Sequence, residues 1–359
     1  MFVAITNTPR DYAWGSETAI PSLLGTPVTG RPQAELWLGT HPGSPAQVVG
    51  DGSLASLTTL PFLLKVLAAA APLSLQAHPT TAQAVEGFAR ENAAGVPLSS
   101  PQRNYKDELH KPELIFALTP FRALCGFRPT SLVLADLDLL GAGFGEWRNR
   151  LADGIRPTFE WLISRGPDVP PLIDALVTAA ARVDAPPFAL IAELEAAYPG
   201  DPGIAISLML NLTTLSPGQV LFLPAGNIHA YIEGVGVELM AASDNVLRGG
   251  LTPKHVDVPE LLRVLDFTPG PVPYLPSVSR GPGVSAYAPV PDFELLHVTA
   301  AAEVELPAEA VALCTSGGFT LSGSTGSAVI TRGESLYISD EGPLAVTGNG
   351  SLFVAASGR

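Results

Sequence analysis

The chain has 359 residues, of which 47% are hydrophobic and 15% charged, and its formal net charge is −14. That length accommodates two or three domains with cores of their own, and the apolar content excludes a disordered chain. Lys and Arg number 20 against 34 Asp and Glu, with no basic stripe, which argues against a nucleic-acid partner. Glycine and proline contribute 35 residues each without a collagen-like period, so many turns between short strands are expected. The longest apolar run, residues 61–73, contains Lys65 and Pro72 and is too short to span a bilayer. The opening MFVAITNTPRDYAWGS has neither a basic start nor an apolar core like that of a signal peptide. Cys125 and Cys314 are the only cysteines, too few for a disulfide framework or a cysteine-rich zinc site. These features predict a soluble cytoplasmic protein.

Three textures follow one another along the chain. Residues 1–130 mix short apolar runs with turn signals, as in LPFLLKVLAAAAPLSLQAHP and KPELIFALTPFRALCGFRP. Residues 131–203 read as helical. Ile173, Leu176, Val177 and Ala180 recur at i, i+3, i+4 and i+7, and Ile191, Leu194 and Tyr198 form a similar stripe. Pro170 and Pro171, then Pro186 and Pro187, mark first turns. From residue 204, strand-like runs return: QVLFLP, AYIEGVGVELM, FELLHV, AVALC, SAVI, ESLYI and SLFVAA. Their close spacing favours an antiparallel sandwich or barrel. The proline-rich stretch 267–291 reads as a linker into a last all-β module. The expected fold is mainly β with a helical insertion.

Lysine and histidine are scarce, so their clustering is informative. In SLQAHP, residues 74–79, Gln76 and His78 share one face of a strand and can offer neutral lone pairs to one metal ion. The plainer reading is a polar strand end stopped by Pro79. In NYKDELHKPE, residues 104–113, Glu113 stands at the mouth of the apolar run LIFAL and can supply an anionic ligand. Pro112 disfavours helix at Lys111, so Lys111 and Glu113 share a face of extended backbone; an ordinary charged loop is the alternative. GQVLFLPAGNIHAYIE, residues 218–233, reads as strand, tight turn, strand, with His229 opening the second strand. Its Gly-x5-Pro-x-Gly-x2-His spacing resembles the second cupin motif, whose histidine binds metal at the mouth of a small jelly roll. Residues 238–255, ELMAASDNVLRGGLTPKH, form a polar loop carrying Asp244, Arg248 and Lys254. Arg248 offers a planar fork for carboxylate, phosphate or a developing oxyanion.

Together these segments resemble the type I mannose-6-phosphate isomerase (phosphomannose isomerase) family of zinc-dependent cupins. The matching stretches are YAWGS (12–16), AELWLGTHP (34–42), 61–79, GFAREN (87–92), 104–128 and 224–262, in order and at suitable separations. The resemblance implies a cupin or jelly-roll catalytic domain over 1–130 and 204–266. It implies a helical domain over 131–203 and a jelly-roll-like β domain over 267–359. It further implies one zinc held by Gln76, His78, Glu113 and His229, with Arg248, Lys111, His110 and Asp244 catalytic. Ser74 and Lys254 are expected near the sugar phosphate. Leu109 replaces the family's Asn, and Glu233 replaces the cupin asparagine. His41 and His255 are taken as structural.

Two imidazoles, an amide and one carboxylate suit zinc, although iron, manganese or cobalt also fit by ligand type. A divalent ion with one carboxylate leaves about +1, which favours the enediolate of aldose–ketose exchange. In this expectation Arg248 stabilises developing charge or moves a proton, Lys111 can serve as base, and His110 with Asp244 can assist ring opening; the sequence leaves the identity of the base open. Because the whole chain is anionic, a sugar phosphate requires a locally cationic site, which Arg248, Lys254, Lys111 and the metal supply. Mannose 6-phosphate and fructose 6-phosphate are the expected small-molecule partners, with no membrane or nucleic acid. The rival classes are a metal-dependent cupin oxygenase or oxidase and a non-catalytic sugar-phosphate-binding cupin.

Overall fold

A computed structural model describes residues 1–307 and 309–358. Its catalytic-side sheet is organised on one long strand, His229–Ala241. The first residues of this strand pair with Gln76–Ala77 and with Phe121–Phe127; its second half pairs with Phe62–Ala69 and Glu113–Ala117. Leu247–Arg248, Leu210–Leu215, Glu35–Leu38 and Val220–Leu223 extend these pairings outward. All pairings are antiparallel, and the result is the small cupin-type barrel expected. Phe62–Ala69 is buried at every position, which explains its nearly unbroken apolar sequence: both of its faces are covered.

The long strand changes phase once. Tyr231 lines the central cavity from an odd position, whereas Glu238 and Met240 line it from even ones. A strict period of two forbids this without an inserted residue. The register against Phe121–Phe127 slips between Tyr231 and Glu233, and Gly234 follows at φ 131°. A Cβ on Gly234 would stand 2.8 Å from both Phe121 Cα and Pro120 O, so a bulge with glycine is the local solution.

The helical insertion forms as its periodicity predicts. Thr130–Leu140, Gly145–Asp153, Ile155–Ile163, Val169–Ala180, Pro186–Ala197 and Gly203–Ser207 follow in order. Prolines occupy the first turns of Val169–Ala180 and Pro186–Ala197, where a missing N–H costs nothing. Ile173, Leu176 and Ala180 are buried, and the helices share one apolar cluster with Leu75, Leu124, Phe127 and Ile228 of the barrel.

The second sheet runs Val278–Gly281, Val284–Val290, Phe293–Val298, Leu344–Ala356, Glu309–Ser322, Ser335–Ser339, Phe2–Thr6 and Gln47–Val48. Residues 1–130 therefore lend two strands to the sheet of the C-terminal segment, which long-range register alone decides. Phe116 of the barrel meets Tyr287, His297 and Phe353 of this sheet edge-on at 4.8–5.9 Å. The stretch 267–291, expected to be a linker, is instead built in. Phe222 N donates to Pro273 O, Leu275 N donates to Val220 O, and two strands lie largely within the stretch. Pro289, inside Val284–Val290, falls where the register shifts between Tyr287 and Val290, a place that tolerates a missing ladder donor. Among the described residues no helix is long and apolar enough to cross a membrane.

Candidate active site and metal centre

Register brings the chemistry-bearing residues together. Gln76 is the cross-strand neighbour of both His229 and Arg248, and Glu113 lies opposite Met240 on one side and Leu223 on the other. His229 follows a tight turn in which Asn227 N donates to Pro224 O, with Gly226 at φ 80°. Gly226 N donates in turn to His78 O at 2.8 Å, tying the two histidine-bearing segments to each other.

The imidazoles are oriented alike. His78 Nδ1 lies 2.7 Å from Asn245 O and His229 Nδ1 lies 3.0 Å from Asn227 O. Carbonyl oxygens only accept, so each Nδ1 carries the proton and each Nε2 presents a lone pair. Those Nε2 atoms lie 3.4 Å from Glu113 Oε1 and Oε2 respectively. Both Nε2 atoms and Glu113 Oε2 are buried without a hydrogen-bond partner among the described residues. Three orphaned, convergent donors, each imidazole braced by a carbonyl on its other nitrogen, are what a metal ion requires. His78, Glu113 and His229 form a group able to hold one, and Gln76 lines the space beside them. Burial pushes the His78 imidazole down to about 4, which keeps it neutral. Burial alone would raise Glu113; the Lys111 ammonium, with Nζ 2.8 Å from Oε1, instead holds it well below the usual carboxylate range.

Above this group lies a cavity of about 490 Å³. Ser74, Gln76, Lys111, Glu113, Asp244, Arg248 and Lys254 all line it. Burial lowers Arg248, and burial with the Arg248 charge lowers Lys254. His110 is placed elsewhere: its Nε2 bonds Asp292 Oδ1 at 2.8 Å. The expected His110 and Asp244 pair therefore does not form; neighbours on extended backbone point apart, and Lys111 takes the cavity side. Asp244 Oδ1 lies 3.3 Å from His41 Nε2 instead, so His41, expected to be structural, belongs to the cavity. His255 is exposed and is not among the residues lining the cavity.

Of the further lining residues not singled out from sequence, Glu35, Trp37, Lys65 and Glu238 form one cluster. Lys65 Nζ lies 2.9 Å from Glu238 Oε2 and 3.4 Å from Glu35 Oε1, and Trp37 Nε1 donates to Glu35 Oε2 at 3.0 Å. Burial would lower Lys65, but the two carboxylates outweigh it and raise it, so it stays charged. The available signal was a lysine inside an apolar run and a glutamate inside another; Lys65 and Glu238 are direct cross-strand partners.

A convergent histidine–glutamate–histidine group at the mouth of a small antiparallel barrel defines a metal-binding cupin. The family described as phosphomannose isomerase type I, catalytic domain, matches residues 52–130. The chain is similar to mannose-6-phosphate isomerase of Salmonella typhimurium (37% identity) and of Escherichia coli (36%), covering 97% of both chains in each case. It also superposes on a solved structure of zinc-bound mannose 6-phosphate isomerase with a TM-score of 0.93 and 35% identity, each chain covered completely. The chain belongs to the mannose-6-phosphate isomerase family.

Proposed function

We propose that the chain is a zinc-dependent aldose–ketose isomerase interconverting mannose 6-phosphate and fructose 6-phosphate. The observation that carries this reading is the pair of orphaned Nε2 atoms converging with Glu113 on the floor of a cavity that also holds Lys111, Arg248 and Lys254. Gln76, His78, Glu113 and His229 hold the ion, one per chain. When bound, zinc supplies positive charge and Lewis-acid polarisation against a developing enediolate.

The chain's own groups then divide the work. Lys254 and Ser74 take the phosphate end, where Lys254 adds a cation to a chain that is anionic overall. Asp244 accepts the anomeric hydroxyl proton as the C1–O5 bond opens, a proton from solvent neutralises O5, and Asp244 returns its proton to solvent. The C2 proton leaves and returns at C1, while the hydroxyl proton moves from O2 to O1. Lys111, once its ammonium proton has passed to solvent, is assigned the carbon-bound proton as a neutral amine. Arg248 stabilises the charge that develops on the two oxygens, for which its rigid fork is suited. Lys65 remains an ammonium and adds positive potential without accepting a proton. His110, occupied by Asp292, takes no step.

The likeness over nearly the whole chain disfavours the oxygenase and non-catalytic readings. The division into 1–130 with 204–266, 131–203 and 267–359 is retained as a proposal, amended by the strands lent to the second sheet. A cytoplasmic setting is supported by two cysteines, both free and buried. Supplying the purified, zinc-loaded chain with mannose 6-phosphate and following fructose 6-phosphate by NMR tests the reading. Turnover to an equilibrium mixture is expected; binding without conversion would refute it.

A further inference from the structure

We propose that His41 is a positioning residue for Asp244, fixing and charging the carboxylate that opens the sugar ring; this rests on the isomerase reading above. His41 is only 5% exposed and sits in a tight turn, where its carbonyl accepts from Ser44 N at 3.1 Å. Its ring stands edge-on to Trp37, with centroids 5.0 Å apart at 87°. A Cβ on Gly43 would come within 3.2 Å of Nδ1 and 3.4 Å of the Trp37 ring, so the turn closes over the imidazole with no room to spare.

Gly43 N donates to His41 Nδ1 at 3.1 Å. That bond makes Nδ1 the acceptor, leaving Nε2 to carry the ring proton and aim it at Asp244 Oδ1, 3.3 Å away. Asp244 itself hangs from a fixed backbone: its N–H donates to Asp107 Oδ2 at 3.0 Å, and Ser243 Oγ donates to Asp107 Oδ1 at 2.8 Å. A half-exposed carboxylate at the cavity mouth would otherwise sample several rotamers. The imidazole engages one oxygen, leaves the other for the anomeric hydroxyl, and favours the ionised form. Burial alone would raise the Asp244 carboxyl, and the His41 contact instead lowers it. The tautomer is set by a glycine N–H two residues away, not by solvent, so the donor is ready before substrate arrives.

The test compares His41→Leu with His41→Gln, alone and in an Asp244→Asn background. The glutamine amide nitrogen reaches close to the position of Nε2 and restores the donor. His41→Leu is expected to lower kcat about 10- to 100-fold, the range typical of lost supporting partners, with KM changed less than about threefold and zinc content unchanged. His41→Gln should recover most of kcat, and neither change should cost anything further beside Asp244→Asn. The same factor lost in both backgrounds, or His41→Gln as slow as His41→Leu with an intact fold, would overturn the proposal. A second arm needs no turnover: the Asp244 carboxyl, followed by 13C NMR, should titrate at higher pH in His41→Leu than in the unaltered chain. The other charges acting on Asp244, Lys111, Lys65 and Lys106, with Arg248 on its own loop, are the same in both proteins. An unmoved titration would also overturn the proposal. A chain inactive on mannose 6-phosphate would refute the isomerase reading instead, with the titration still deciding on His41.

Discussion

Gln76 is the neutral member of the proposed ligand set, and its register opposite both His229 and Arg248 makes it a sensitive probe of site charge. Replacing it with Glu keeps the donor oxygen and lowers the charge from about +1 to about 0. The added carboxylate should hold zinc at least as well, yet it sets a second negative charge against the enediolate. Gln76→Glu should therefore retain one zinc per chain while kcat falls clearly. Zinc content and kcat measured on the same preparation check this; unaltered kcat at full occupancy would show that the neutral ligand is not tuned for the intermediate. Most of the individual residues were legible. Glu113 beside a proline, His229 after a Gly-turn and the scarce cations in 104–113 and 238–255 carry their chemistry in local sequence. Lys65, Glu35 and Glu238 did not, because each reads as a stray charge until register pairs Lys65 with Glu238. The partner of His110 was likewise hidden, since Asp292 lies in a distant strand turn.

Among the elements, the strand His229–Ala241 joins four others, and its single bulge lets one strand put His229 and Glu238 on the same side of the barrel. Gly234, directly after that bulge, stands at φ 131°, a conformation costing a side-chain-bearing residue about 1–3 kcal/mol. A Cβ there also meets backbone atoms that cannot rotate away. Gly234→Ala should lower stability by at least about 2 kcal/mol and reduce zinc retention, as read by denaturant titration and metal analysis. Stability within about 0.5 kcal/mol of the unaltered chain, the usual range for innocuous substitutions, would mean the bulge is not needed. Both ends of this strand were legible from apolar runs and turn residues; its phase change was not, because one inserted residue leaves composition unaltered. The helix Thr81–Ala93 was also missed. Its buried residues are Ala84 and Gly87, so no strong apolar stripe announces it, although Thr80 and Gln83 form a capping box. Gly87 is required because Tyr105 lies against it, with a Cβ 2.2 Å from that ring.

Across the whole molecule, barrel, helices and second sheet share apolar clusters, and the seam between the two sheets contains a titratable group. His297 stacks on Phe353 at 4.6 Å and bonds Ser351 Oγ at 2.7 Å. Burial pushes it down to about 4 from 6.5. The unfolded chain therefore takes the proton first as pH falls. The stability due to keeping His297 neutral is complete above about 6.5 and is lost progressively down to about 4. His297→Phe should flatten this part of the pH dependence, seen in denaturant midpoints measured between pH 7 and pH 4. Parallel curves for the two proteins would show that the seam does not sense pH. The mainly β architecture and helical insertion were legible at this scale because periodicity and proline placement are local. The lending of Phe2–Thr6 to the distant sheet was not, because it depends on pairing across more than 300 residues. The central claim, that orphaned imidazole and carboxylate atoms exist to hold a zinc needed for sugar-phosphate isomerisation, has one direct test. Zinc is titrated into chelated protein while mannose 6-phosphate turnover and bound metal are recorded together. Activity should rise in proportion to bound zinc and stop at about one per chain, the occupancy of a single four-ligand shell. Full activity in verified metal-free protein would contradict it.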